Sequence, residues 1–131
     1  MSLYKTFEDL EVYKLARELR KEIYKVVGKL PENEKHNLAS QMRRAATSLT
    51  NNIAEGDGRY HYQENIQFCR QSRGSLSELI DDLNVCLDQG YFPVDYLSGL
   101  KQQAYDLNKR LNGYIAYLRR RKDSDSEKLI S

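Results

Sequence analysis

Two short stretches hold the side chains best suited to chemistry. Residues 51–62, NNIAEGDGRYHY, set two acid–glycine pairs, Glu55-Gly56 and Asp57-Gly58, ahead of Arg59, Tyr60, His61 and Tyr62, and near the C-terminus Tyr117 precedes Arg119, Arg120, Arg121 and Lys122. Cationic side chains grip phosphates and flat phenol rings stack on unpaired bases, so the two types together suit RNA. The same residues have an ordinary structural use. Arg and Lys complement the dipole at a helix C-terminus, and Tyr is common at the wet edge of a helix interface.

Catalysis lacks a residue set. A di-iron bundle needs Glu-x-x-His, but Asn33 stands three places before His36 and Gly58 three before His61. Helical-bundle RNases place an Arg a few residues ahead of a His on one helix; Arg59 and His61 are too close, and nothing around His36 fits. There is no phosphate-binding GxxxxGK[ST] loop and no HExxH zinc motif, and DGR is too short for a calcium loop. Ser98 to Lys101 matches Ser-x-x-Lys without its partner motifs, which makes it a chance hit. His36 and His61 are therefore surface or capping residues, and the expectation is a protein that is not an enzyme, with no cofactor and no metal.

The elements that must position these residues are helical. The chain has 131 residues, 40% hydrophobic and 31% charged, with 2 Pro and no Trp. That fits one domain with one core. No run approaches the ~18 apolar residues of a membrane helix, and the N-terminus lacks the basic-then-apolar order of a signal peptide, so the expected location is cytoplasmic with no membrane partner. Residues 7 to 29 place Val12, Ala16, Leu19, Ile23, Val26 and Leu30 at steps of four and three, behind a cap from Thr6 and Asp9. Pro31 breaks that helix, and Asn33 with Glu34 starts a second through Leu38, Met42, Ala45, Leu49 and Ile53, ending at Gly56. A third, from 61 to 89, carries Ile66, Cys69, Leu76, Leu79, Ile80, Leu83 and Leu87 and closes in a left-handed cap at Gly90. Pro93 opens a fourth, with Leu97, Leu100, Ala104, Leu107, Leu111, Tyr114 and Leu118. Residues 123–131 read as a disordered tail, leaving 1–122 as the domain. Short connections then give an all-α, antiparallel up-down-up-down four-helix bundle. Glycine at 56 to 58 supplies the positive φ expected where the second helix stops and the chain reverses. Cys69 and Cys86, far apart on one helix, read as reduced core or interface thiols.

The bundle sorts the charges. Gly74 to Leu100 holds five acids and no Lys or Arg, whereas Lys109 to Lys122 holds six bases and no acid. One pole collects Lys5, Arg59, Arg119, Arg120, Arg121 and Lys122, interleaved with Tyr4, Tyr60, Tyr62 and Tyr117. Beside the apolar stripe of the second helix lie Gln41, Arg44, Ser48, Asn52 and Glu55, and the third helix matches them with Gln71, Ser75, Glu78 and Asp82. Such stripes usually form hydrogen-bond networks that fix helix register or an oligomer interface. Within this network Glu55 pairs with Arg59 or Arg44 as a latch on the turn. Gly74, costly inside a helix, implies close approach by another backbone, with Ala45 and Ala46 as candidates. Asp81, Asp82 and Asp88 are either solvated or meet cations of another chain.

LPENEKHNLASQMRRAATSLTNNIAEGDGR, followed by RGSLSEL, resembles the four-helix bundle family encoded in intervening sequences of bacterial 23S ribosomal RNA genes. The resemblance rests on Gln-x-x-Arg-Ala-Ala, Asn-Ile-Ala-Glu-Gly-x-Gly-Arg and Gly-Ser-x-x-Glu, and runs from FEDLEVYKLA to the end of the fourth helix. Arg73 departs from it, standing where the family tends to carry a small or apolar residue. The resemblance implies a ring-like homopentamer with no established enzymatic activity and with RNA as a suspected ligand. A similar architecture occurs in the accessory variability proteins of diversity-generating retroelements, which are more basic and lack the Asn-Ile-Ala-Glu-Gly stretch. Two expectations follow: a homo-oligomer that presents the basic pole to RNA, or a structural or protein-interaction scaffold whose basic end is only solvated.

Overall fold

The structure is a computed structural model; it describes the backbone of residues 6–130 and the side chains of residues 6–125. Lys5 and Tyr4 of the expected basic pole lie outside the described residues. Four helices, α1 (Glu11–Gly28), α2 (Leu38–Asp57), α3 (Tyr62–Asp88) and α4 (Val94–Ile130), make an all-α fold with no strand among the described residues. Each helix packs on two neighbours, α1 on α2, α2 on α3, α3 on α4 and α4 back on α1. The four-and-three spacing explains the result. Val12, Ala16, Leu19, Ile23 and Val26 of α1 and Leu97, Leu100, Ala104, Leu107, Leu111, Ile115 and Leu118 of α4 all enter one buried core.

Cross-helix bonds give relative direction. Ser72 Oγ donates to the Leu49 carbonyl at 2.6 Å and Ser75 Oγ to Ser48 Oγ at 2.8 Å, while Gly56 lies against Asn65, so α3 ascends as α2 descends. Arg73 reaches Asn112 at 2.8 Å and Lys122 reaches Gln63 at 2.7 Å, which makes α3 and α4 antiparallel as well.

Helix ends differ from the sequence reading in four places. Thr6 and Asp9 do form a capping box, but it closes a separate 3-10 turn, Phe7–Asp9. Leu10 then adopts extended backbone (φ −66°, ψ 132°), and α1 begins only at Glu11. A second 3-10 turn, Glu32–Glu34, precedes α2, whose N-cap is Asn37. At the far end of α2 no left-handed residue is needed. Gly58 has φ −78°, and the chain unwinds through tight bonds from Gly58 to the Glu55 carbonyl and from Arg59 to the Gly56 carbonyl. The positive φ expected there occurs at Gly90 alone among the described residues (φ 67°). Gly90 N–H bonds the Leu87 carbonyl and Tyr91 N–H the Cys86 carbonyl, the paired bonds of a Schellman cap. Finally, α4 continues through the segment expected to be a disordered tail as far as Ile130. No Gly or Pro follows Gly113 to stop it.

Candidate functional site

The end of α2, the start of α3 and the stretch of α4 from Tyr114 to Lys122 meet at one pole. There a cleft of about 380 Å³ is lined by Leu10, Asp57, Arg59, Tyr60, His61, Tyr62, Asn65, Tyr114, Tyr117 and Leu118. Tyr60 is 93% exposed, with its ring edge-on to His61 at 4.9 Å. Tyr114 and Tyr117 stack at 6.1 Å on the opposite wall. Burial pushes the Tyr114 hydroxyl up to about 12, although the Asn65 amide turned toward it pulls the other way, so Tyr114 is a neutral wall at any ordinary pH.

The structure divides the expected cations into two kinds. Arg121 Nε donates to Tyr62 Oη at 3.4 Å with its guanidinium 6.0 Å above the Tyr62 ring, and that hydrogen bond holds its pKa above the ordinary arginine value. Lys122 is engaged by Gln63. Arg59 ion-pairs with Glu55 at 3.2 Å and lies 4.8 Å over the Phe68 ring. These three pin α4 and the α2–α3 turn to α3. Arg119 and Arg120 are exposed and form no ion pair among the described residues, so they are the cations with hydrogen-bond capacity to spare.

Of the expected polar network, Ser48, Asn52 and Ser75 come together: Asn52 Nδ2 donates to the Ser48 carbonyl at 2.9 Å and to Ser48 Oγ at 3.0 Å, and Ser75 Oγ donates to Ser48 Oγ. Gln41, Arg44 and Glu78 are not part of that bonded group. They line a separate cleft with Asp81 and Asp82. Glu55 selects Arg59 rather than Arg44, and both partners of that pair are largely exposed. The close approach expected at Gly74 does not occur: a Cβ there would meet nothing within 4 Å, because position 74 lies on the exposed side of α3 while its neighbours Ser72 and Ser75 face α2. The close approach occurs at Gly56. A Cβ at 56 would stand 2.5 Å from Asn65 Oδ1, 3.0 Å from Phe68 Cβ and 3.2 Å from the Asn65 carbonyl oxygen.

Asn65 escaped the sequence reading, and so did the burial of Glu34 and Asp82. Asn65, buried, accepts from Cys69 Sγ at 3.5 Å and ties the Gly56 contact to the tyrosine cleft. Glu34, also buried, accepts from Tyr91 Oη at 2.7 Å and from Asn37 at 3.1 Å, and the Tyr91 bond holds its carboxyl below the usual range. Asp82 is only 7% exposed, and burial first, then Asp81 and Glu78, push it up to about 6. Tyr91 and Glu34 stand 57 residues apart with no local pattern linking them, whereas Asp82 was placed in the polar stripe of the third helix and read as either solvated or meeting a cation of another chain, neither of which fixes its burial.

Cys69 and Cys86 are buried free thiols, raised by burial to about 12 and about 11, and His36 and His61 are exposed. Among the described residues no group of three or more His, Cys, Asp or Glu side chains is placed to hold a metal ion. No helix among them is long and apolar enough to cross a membrane.

A comparison with curated proteins returns no match. A family model does match, over residues 8–113. That span takes in α1, α2, α3, the Gly56–Asn65 contact and the serine–asparagine seam, and it stops short of Tyr117 and the run from Arg119 to Lys122. By that match the chain belongs to the family of 23S rRNA-intervening sequence proteins.

Proposed function

We propose that this protein is a non-enzymatic, cytoplasmic homo-oligomer that associates with RNA through the pole formed by Arg59, Tyr60, Tyr62, Arg119, Arg120, Arg121 and Lys122, Lys5 being the further cation read from the sequence. The observation that carries the reading is that one pole holds a 93% exposed Tyr60, the stacked Tyr114 and Tyr117 and, on the next turn of α4, the exposed Arg119 and Arg120, which form no ion pair among the described residues. Exposed rings offer stacking faces worth ~1–3 kcal/mol per base, and free guanidinium groups supply phosphate contacts. Assembly into a ring, with five copies by family resemblance, repeats a weak patch and raises avidity without new contacts.

The engagement of Arg59, Arg121 and Lys122 within the chain favours a second reading, a scaffold for protein partners with no direct RNA contact. Salt separates the two. Titration of labelled single-stranded and structured RNA at several salt concentrations, for the wild type and an Arg119→Glu/Arg120→Glu variant, tests the proposal. Expected are a log–log salt slope of roughly −0.7 per phosphate contact on single strands, a loss of at least about tenfold in affinity in the variant, and an unchanged mass by light scattering. No binding by an intact oligomer at low salt would leave the scaffold reading.

A further inference from the structure

Asp82 is a buried carboxyl group that forms no hydrogen bond or ion pair among the described residues, in contrast to Glu34, which Tyr91 and Asn37 hold. It borders a cleft of about 390 Å³ between α2 and α3 whose other walls are Gln41 and Arg44 from α2 and Glu78 and Asp81 from α3. Three carboxyl groups face one guanidinium. Arg44 lies within the same cleft but makes no ion pair within the 4.0 Å range, and every group near Asp82 that alters its ionisation disfavours its charge. The Cys86 thiol, one turn further along α3, is raised first by its burial and then by the Asp82 and Glu34 charges. The Asp82 oxygens reach solvent only through this cleft, since no buried polar side-chain atom among the described residues lacks a partner. They do so beside two further carboxyl groups with no cation in contact, so the cleft presents negative charge that a cation would offset.

The arrangement also narrows the ligand. The carboxyl groups are not gathered as metal ligands; Glu78 and Asp81 are exposed at the mouth while Asp82 sits within. Separated acceptors of this kind suit a cation that carries several N–H donors on a short body, and the Gln41 amide oxygen adds a neutral acceptor. We infer that the α2–α3 cleft binds an organic cation, a guanidinium or primary ammonium group, with Asp82 as its innermost contact. The cation belongs either to an Arg or Lys side chain of a second copy or to a free small molecule. The site lies apart from the tyrosine pole and stands or falls independently of RNA binding.

The test is carbon-13 NMR of the Asp82 carboxyl in the full chain, titrated through the acid and neutral range in dilute solution, then with methylguanidinium chloride, then at high protein concentration. Sodium chloride at matched ionic strength is the control. Methylguanidinium is expected to lower the Asp82 midpoint by about one pH unit or more, as an opposite charge at contact does, and Glu78→Gln, an exposed substitution, to weaken that effect several-fold. A midpoint that also falls on concentrating the protein, together with a rise in sedimentation mass that Asp82→Asn abolishes, makes a second copy the source. A response to methylguanidinium alone makes the ligand a free cation. A midpoint that methylguanidinium leaves where sodium chloride does overturns the inference. So does a higher midpoint in dilute Arg44→Gln protein, because Arg44 would then already fill the site from within.

Discussion

Gly56→Ala is the sharpest test of how this bundle is closed. The added methyl group would stand 2.5 Å from Asn65 Oδ1, and that oxygen is not free to move: Asn65 is buried and accepts from Cys69. The contacts at 3.0 Å to Phe68 Cβ and 3.2 Å to the Asn65 carbonyl involve the body of α3, so the last turn of α2 must shift as a unit. Overpacking of this kind costs about 1–3 kcal/mol, and the better helix propensity of alanine returns up to about 1 kcal/mol. The net loss is about 1–2 kcal/mol, or roughly 5 °C in Tm for a chain of this size. Urea unfolding followed by circular dichroism measures it, with Gly74→Ala as the internal control. Nothing within 4 Å opposes a methyl group at 74, so that variant gains up to about 1 kcal/mol. A Gly56→Ala protein as stable as the wild type would refute the packing argument.

Other predictions concern charge. The folded pKa of Asp82, about 6, lies above the ordinary aspartate value, so the stability associated with its proton is present below pH ~4 and is lost as pH rises through about 6. Asp82→Asn should therefore raise stability at pH 7.5 by about 1–2 kcal/mol, allowing for solvent screening, and leave it unchanged at pH 4; equal gains at both pH values would sink the assignment. Glu34 runs the other way, its stabilisation being full above the usual glutamate value and lost as pH falls through its lowered folded value. Tyr91→Phe removes the bond responsible, and the acid limb of the stability profile should move to higher pH; an unmoved limb would count against it. Glu55→Ala should cost no more than about 0.5 kcal/mol, since its i,i+4 pair with Arg59 is exposed at both ends, and a larger loss in thermal melts would mean that the pair holds the turn.

The four helices and their core stripes were legible because an apolar repeat of three and four is a property of each helix alone. Val12 to Val26 and Leu97 to Leu118 needed no neighbour to be recognised. The Schellman cap at Gly90 was equally local. What escaped depended on which neighbour lies opposite. NIAEGDG reads as a turn from composition, yet Gly56 is required by Asn65 across the α2–α3 seam rather than by backbone conformation. Gly74 misled for the same reason in reverse, since a glycine in a helix signals contact only when something stands opposite it. Sequence gathers Arg59, Arg119, Arg120, Arg121 and Lys122 from the end of α2 and from α4, but it could not tell an arginine committed to a tyrosine, as Arg121 is, from one with no ion pair among the described residues, as Arg119 is.

The same seam that sets helix register also positions the candidate interface. Asn65 touches Gly56 on one side and lines the tyrosine cleft beside Tyr114 on the other, so the spacing of α2 and α3 fixes where the Tyr114–Tyr117 wall stands relative to Tyr60. Packing and surface are thus separable by mutation. Reversing Arg119 and Arg120 removes charge from exposed positions and should alter RNA affinity while leaving Tm unchanged. Gly56→Ala touches no exposed cation, yet by moving Asn65 it should disturb the ring wall and lower the Tm together. If RNA affinity followed the two arginines but ignored Gly56→Ala, phosphate contact would dominate and the rings would be incidental; if it followed both, stacking in the cleft would be part of recognition.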